Sequence, residues 1–268
     1  MRIKFINILI LLILIGIINN CGVIDWFSTT FEEGNTMIVE GRKEIKNTKI
    51  VLRPGAKVIF KTEEKASIGG TVYEPGELII GKGATLIAQG TPENPILFKV
   101  AEGDDNGYLT CTENSTKDSI IQYCKFENVN LDCKNYIEIY RSKFIFDKYN
   151  YINVIGGKIE YNTFEGGSDT LWLGDSIEKV KYNFIQNSER SGIVCFNIYA
   201  IIENNNILNT KMYAIANGTT NNKILAKYNY IKDCAGKVGI DTNGSQCLNV
   251  IFSNYYRTTP VPDAGCGW

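Results

Sequence analysis

Seven segments of this chain close in the same way at a nearly constant interval, and this recurrence limits the fold more than any other feature. "IQYCKF" ends at Phe126, "IYRSKF" at Phe144, "IEYNTF" at Phe164 and "VKYNFI" at Ile185; "IENNNI", "AKYNYI" and "IFSNYY" follow, ending at Ile207, Ile231 and Tyr256. Successive ends lie 18, 20, 21, 22, 24 and 25 residues apart. A second series keeps step with the first, ending at Cys111, Cys133, Val154, Leu173, Cys195, Ala216 and Asp241. Within each segment the local apolar period is two, as in a strand, so a helical solenoid with its 3.6-residue period is excluded. Two strand columns sharing a period of about 22 residues mean stacked coils, each contributing strands to the same two sheets.

The segments also show where a coil turns. Five residues before each end stand Ile121, Ile139, Ile159, Val180, Ile202, Ala226 and Ile251, and three before it Tyr123, Arg141, Tyr161, Tyr182, Asn204, Tyr228 and Ser253. These two positions share a face, but the end residue lies three further on, which breaks the alternation and demands a bend. At the break stand Cys124, Ser142, Asn162, Asn183, Asn205, Asn229 and Asn254. Asparagine tolerates the left-handed conformation of a sharp corner. Stacked at about 4.8 Å per coil, such amides also hydrogen-bond along the axis, so a ladder Asn162–Asn183–Asn205–Asn229–Asn254 is expected. Nearer the N-terminus, "IVLRPGAKVIF" (50–60) is echoed 28 residues later by "LIIGKGATLIA" (78–88), and "GTPENPILF" (90–98) reads as a polar corner between two strands.

The asparagine column and "GTPENPILF" resemble the right-handed parallel β-helix of the pectin-lyase-like superfamily. The fold expected is all-β, a single-stranded right-handed parallel β-helix with caps at both ends. It places the β-helix at 46–256, a tether and N-terminal cap at 21–45 with Trp26 and Phe27 over the first coil, and a C-terminal cap at 257–268. Such caps answer the open strand edges of a parallel solenoid.

Residues 1–20 stand apart from this pattern. Arg2 and Lys4 precede an apolar run from Phe5 to Ile18, shorter than the roughly 18–20 residues of a membrane span and suited to a signal peptide. The run closes on "INNCG", and its position resembles a bacterial lipoprotein signal, which implies a lipidated Cys21 as the mature N-terminus. An ordinary signal peptide and an uncleaved anchor are the other readings of the run. A single acyl chain holds a protein only marginally, so the resemblance implies multiple acylation, membrane anchoring through Cys21 and a place in the bacterial cell envelope. Without residues 1–20 the chain carries 26 basic and 29 acidic residues, with no basic excess to recruit nucleic acid.

The chain contains no histidine, which excludes Ser–His and Cys–His catalysis and the zinc sets that use histidine. Beyond Cys21 come Cys111, Cys124, Cys133, Cys195, Cys234, Cys247 and Cys266, an odd number without a CxxC. Cys111 and Cys133 fall in one column and read as core filler, as a disulfide between neighbouring coils, or as a reactive or metal-binding thiol; Cys247 and Cys266 could staple the C-terminal cap, but spacing fixes no connectivity. The acid and amide residues of "GDDNG" (103–107) and "DTNG" (241–244) read as turn chemistry and do not fit a twelve-residue calcium loop. No metal, cofactor or catalytic residue is expected.

Two outward columns remain. Glu160, Lys181, Glu203 and Lys227 alternate in sign and read as a solvated ladder of cross-strand pairs. In the second series the middle residue changes from polar to apolar along the axis, so Trp172, Val194, Ile215 and Ile240, flanked by Asp169 and Asp175, would form an exposed stripe for a glycan or protein ligand. A one-residue shift of face would bury that stripe as ordinary core. The reading that follows is a lipid-anchored envelope protein acting as a non-enzymatic binding or adhesion module. The alternatives are a polysaccharide lyase or glycoside hydrolase, as the resemblance allows, and a structural protein that self-associates. An enzyme would need acids on adjacent coils of one outward column. The columns above do not supply them.

Overall fold

The computed structural model describes residues 29–67, 69–147, 149–196, 201–218, 225–240, 251–252 and 257–268. The chain winds as the expected parallel β-helix. One sheet takes nine strands in chain order, from Thr36–Glu40 through Lys57–Lys61, Ile96–Val100, Cys124–Glu127, Lys143–Phe146, Thr163–Gly166, Phe184–Gln186 and Asn206–Leu208 to Tyr230–Lys232, each parallel to the next. The other sheet holds sixteen strands among the described residues. In early coils it is interrupted by a short turn, as between Gly107–Cys111 and Ser119–Gln122. In the middle coils it runs straight through as Val129–Tyr140, Ile152–Glu160 and Leu171–Lys181, with register shifts between Cys133 and Tyr136 and around Gly156 and Gly157. This long, flat stretch positions the candidate site.

Inside, side chains stack on like side chains. The rings of Phe98, Phe126, Phe144 and Phe164 follow one another at centroid separations of 4.4, 4.6 and 5.0 Å, and Ile185 and Ile207 continue the buried column. Offset stacking and full burial reinforce each other here.

The ladder forms as expected, with its corner one residue earlier. The left-handed residue is the one before each ladder position, whether Cys124, Ser142 or an asparagine: Tyr123, Arg141, Tyr161, Tyr182, Asn204 and Tyr228 all have φ between 45° and 58°. The asparagines themselves are buried and point along the axis. Asn162 N donates to Asn183 Oδ1 at 2.9 Å, Asn183 N to Asn205 Oδ1 at 2.9 Å and Asn205 N to Asn229 Oδ1 at 2.9 Å. Ser142 and Cys124 extend the ladder backwards, through Ser142 N to Asn162 Oδ1 and Cys124 N to Ser142 Oγ. A column of bulky left-handed residues is costly in isolation, and the buried hydrogen bonds beside it offset that cost. Asn254 lies outside the described residues. At the opposite corner, by contrast, Asn128, Asn187 and Asn209 do adopt the left-handed conformation.

The chain is already in a coil at Thr29, the first described residue: Thr29–Phe31 pairs with Lys49–Leu52, Thr36–Glu40 with Lys57–Lys61 and Arg42–Ile45 with Glu77–Ile80, so residues 29–45, expected in the tether and cap, form coil strands. As an end coil this stretch exposes many residues, which blurs its alternation in the sequence. Trp26 and Phe27 lie outside the described residues. An antiparallel hairpin, Glu63–Ser67 with Gly70–Glu74, leaves the second coil at a corner.

Residues 257–268 do not close the far end. They run back along the flank of the nine-stranded sheet as a strap. Arg257 N donates to Asn229 O, Val261 N to Asn206 Oδ1 at 2.8 Å, Gly265 N to Tyr182 O at 2.8 Å, Cys266 N to Thr163 Oγ1 at 3.1 Å, and Trp268 Nε1 to Arg141 O at 2.9 Å. Pro260 and Pro262 cannot donate to a strand ladder, which explains why this segment crosses strands and does not extend them. Deleting 257–268 is expected to speed amide exchange across residues 184–232 by about a hundredfold, since several hydrogen bonds of about 1 kcal/mol each are lost from the least supported coils. Exchange at 96–126 should be unchanged in the same sample.

Candidate functional site

On the outer face of the long sheet, residues two apart along each strand form two parallel columns. One runs Ile87, Ile120, Glu138, Lys158, Lys179, Ile201 and Leu225; the other runs Gln89, Gln122, Tyr140, Glu160, Lys181, Glu203 and Lys227. Over their early and middle members lies an open groove of about 400 Å³, lined among others by Gln89, Gln122, Glu138, Tyr140, Lys158 and Glu160, with Ile120 as an apolar member. The groove lies over the coils where the sheet changes from interrupted to continuous.

Its side chains are held by one another. Gln89 Nε2 donates to Gln122 Oε1 at 3.3 Å. Lys158 Nζ lies 3.0 Å from Glu138 Oε1, which also accepts the Tyr136 hydroxyl at 3.3 Å, and Glu178 approaches Lys158 at 3.9 Å. The hydrogen bond to Glu138, followed by the one to Tyr136, pushes the Lys158 ammonium above its ordinary range. At the corner beside the groove, the Arg141 guanidinium sits 5.3 Å from the ring centroids of both Tyr140 and Tyr161, and its Nε donates to Tyr140 Oη at 3.1 Å. Tyr161 stacks in turn on Tyr182 at 4.8 Å. Amides, a phenol, carboxylates and an ammonium thus repeat along the groove at the coil spacing of about 4.8 Å.

Further along the same face the alternating ladder forms ion pairs over three of its four members. Lys181 pairs with Glu203, and Lys227 lies 3.2 Å from the other carboxylate oxygen. Burial opposes the charged form of Glu203, but the two lysines outweigh it and hold the carboxyl below its ordinary range.

The Trp172 stripe is not exposed. Trp172 does follow Thr110, Asp132 and Asn153 in an outward column and precedes Val194. The next member is Ala216 and then Gly239, because Ile215 pairs with Ile193 and Val238 on the inward column. Ile240 stands opposite Asn217, one column further on. Val194, Ile215 and Ala216 are all buried. The Trp172 ring lies between Tyr151 at 6.0 Å and Phe196 at 5.3 Å, so aromatic neighbours flank it. Asp169 is 1% exposed, accepting Ser191 N at 2.9 Å and pairing with Arg190 Nη1 at 2.9 Å, which makes it a corner brace. Asp175 is exposed but has no exposed stripe beside it. The one-residue shift that would bury the stripe occurs between Val194 and Ile215.

Cys111 and Cys133 stand in register on adjacent coils and remain thiols, and burial raises the thiols of Cys124 and Cys195. Cys133 and Cys124 are core filler beside the phenylalanine stack. Cys21 and Cys247 lie outside the described residues, as does the turn at 241–244. Asp104 of the "GDDNG" turn accepts Thr62 N at 3.0 Å, an ordinary loop contact. Among the described residues no group of three potential metal ligands assembles, and no helix is long and apolar enough to cross a membrane. Glu138 and Lys158, which the sequence reading passed over, were findable: they lie two residues before Tyr140 and Glu160, one strand period along the charged column.

No protein-family model matches the chain, and no curated protein matches it. Among solved structures it is similar to the crystal structure of the periplasmic alginate epimerase AlgG, at 12% identity over 82% of this chain and 67% of that one, with a TM-score of 0.43.

Proposed function

We propose that this is an exported β-helix protein, anchored to the cell envelope through a lipidated Cys21, that binds an extended hydroxylated ligand, a glycan, in the groove over the middle coils. The observation that carries the reading is the groove itself: an open trough with Gln122, Tyr140 and Glu160 on one wall and Glu138 and Lys158 on the other. Hydroxyl groups on successive sugar units suit donors and acceptors repeated at strand spacing, and the Tyr140 ring offers an apolar face. The binding site therefore moves from the Trp172 stripe to this face.

Binding without turnover is favoured by how the charges are arranged. A general base must release its proton near neutral pH. Lys158 is held protonated by Glu138, and Glu138 already accepts from Lys158 and Tyr136. A second reading, hydrolysis by a carboxylate pair, draws on Glu138 and Glu160 lining one groove from adjacent coils.

Titrating the full-length protein against a panel of neutral and acidic polysaccharides tests both readings. Tyr140→Ala and Gln122→Ala are each expected to weaken binding about tenfold or more, the scale of about 1.4 kcal/mol. Wild-type binding that both variants retain would remove the groove as the site. Release of reducing ends that Glu138→Gln abolishes would replace the binding reading with the enzymatic one.

A further inference from the structure

We infer that the N-terminal end of the solenoid is a membrane-contacting surface, so that the β-helix stands with its first coil against the lipid and its axis pointing away. The inference rests on the lipid anchor proposed above. Its first support is chain length. From Cys21 to Thr29, which already lies in a strand of the first coil, there are eight residue steps, which span at most about 30 Å even when fully extended. The anchored end of the solenoid therefore cannot leave the vicinity of the bilayer. The coils stacked on it rise about 4.8 Å each.

The second support is where apolar side chains are exposed. Ile38 on the first coil is 64% exposed, and Val72 and Tyr73 on the hairpin of the second coil are 51% and 64% exposed. These are three of the five exposed large hydrophobic residues among those described. A tyrosine with an exposed ring suits the headgroup boundary, where one end is apolar and the other wet. The strands Thr29–Phe31, Thr36–Glu40 and Arg42–Ile45 also leave one edge without a strand partner among the described residues. Hydrated headgroups can satisfy such an edge, whereas hydrocarbon cannot.

Charge is the third support. From Cys21 to residue 76 basic and acidic side chains balance at eight each, whereas residues 77–268 carry eighteen basic and twenty-one acidic. An anionic lipid surface therefore repels the later coils and not the first two, which favours the upright solenoid. In that orientation the groove opens sideways, a few coils above the surface, and its long ligand would run parallel to the membrane normal.

The test uses the full-length acylated protein in vesicles of phosphatidylcholine with a minority of phosphatidylglycerol. Amide exchange in 36–45 and 70–76 should slow about tenfold relative to detergent, while exchange in 184–232 is unchanged. The triple variant Ile38→Ser, Val72→Ser, Tyr73→Ser should lose that protection while staying vesicle-bound through its acyl chains. Neutron reflectivity on a supported bilayer of the same lipids should show a protein layer about 40 Å thick that begins at the headgroups. Protection spread along the whole length, a layer about half as thick, or a water gap beneath the protein would overturn the upright contact and leave the anchor standing. Absence of acyl groups on Cys21 by mass spectrometry would instead remove the anchor and this surface together.

Discussion

Replacing Asn183 with leucine is expected to lower the stability of the β-helix by about 4–5 kcal/mol, read as a shift in the urea midpoint. The side chains are close in size, so the loss comes from hydrogen bonding. Asn183 Oδ1 accepts both Asn162 N at 2.9 Å and Asn162 Nδ2 at 3.1 Å, while Asn183 Nδ2 donates to Ile159 O at 2.8 Å and to Asn205 Oδ1 at 3.0 Å. Leucine leaves the buried Asn162 N–H and the buried Ile159 carbonyl, both on the preceding coil, without these partners, each costing about 1–3 kcal/mol. The loss also interrupts a chain of amides that polarise one another. Asn187→Ala is the control. Asn187 occupies the opposite corner, is exposed, and accepts only from Asn209 Nδ2 among its described side-chain contacts. Its replacement should cost about 1 kcal/mol, the scale of a left-handed corner residue made less favourable. Equal costs for the two variants would mean that the asparagines serve only as corner residues and that the ladder adds nothing.

The same comparison shows why the architecture could be read from the sequence and the site could not. Coil stacking imposes its period on residues that repeat in kind, and Phe126, Phe144 and Phe164 or Asn162, Asn183 and Asn205 are visible without coordinates. Among the described residues the ladder therefore runs where the repeat places it, from Asn162 to Asn229. Its corner was misplaced by one position because asparagine has two uses that the sequence does not separate: accepting a left-handed backbone, as Asn187 does, and hydrogen-bonding along the axis, as Asn183 does. Tyrosine at φ 58° in position 161 has no local propensity to announce it.

The stripe failed for a related reason. An outward column can be followed only if each coil's length is known to the residue. Trp172 to Val194 and Val194 to Ala216 are 22 residues each, but the match of "AIA" to "IVC" sets Ile215 under Val194 at 21, and Ile215 falls inward. A slip of one residue exchanges the two faces of a strand. Even without the slip, exposure depends on what packs above the sheet. Phe196 lies against Trp172, a contact no periodicity contains. The strap from 257 to 268 escaped for the opposite reason: it obeys no repeat, and its partners, Asn206, Tyr182, Thr163 and Arg141, are tens of residues distant.

Gly157→Ala is expected to destabilise the protein by about 4 kcal/mol or more and to weaken ligand binding in whatever protein still folds. Gly157 lies inside the strand Ile152–Glu160 with φ at 125°, a conformation that L side chains rarely adopt and that costs about 1–3 kcal/mol by itself. A Cβ there would sit 1.9 Å from the carbonyl oxygen of Ile137 on the preceding coil. Backbone on one side and the next coil, at Ile177, on the other leave no flexible side chain to yield. The coil must shift as a unit. Lys158 follows immediately and Glu138 follows Ile137, so the displacement falls on the ion pair that forms one wall of the groove. Gly103→Ala separates strain from collision: Gly103 has φ at 88°, but a Cβ there meets nothing within 4 Å. That variant should cost about 1–2 kcal/mol and leave binding intact. If Gly157→Ala costs no more than Gly103→Ala, the middle coils are not packed backbone to backbone. The register shift would then not be what sets the separation of Glu138 and Lys158 from the opposite wall of the groove.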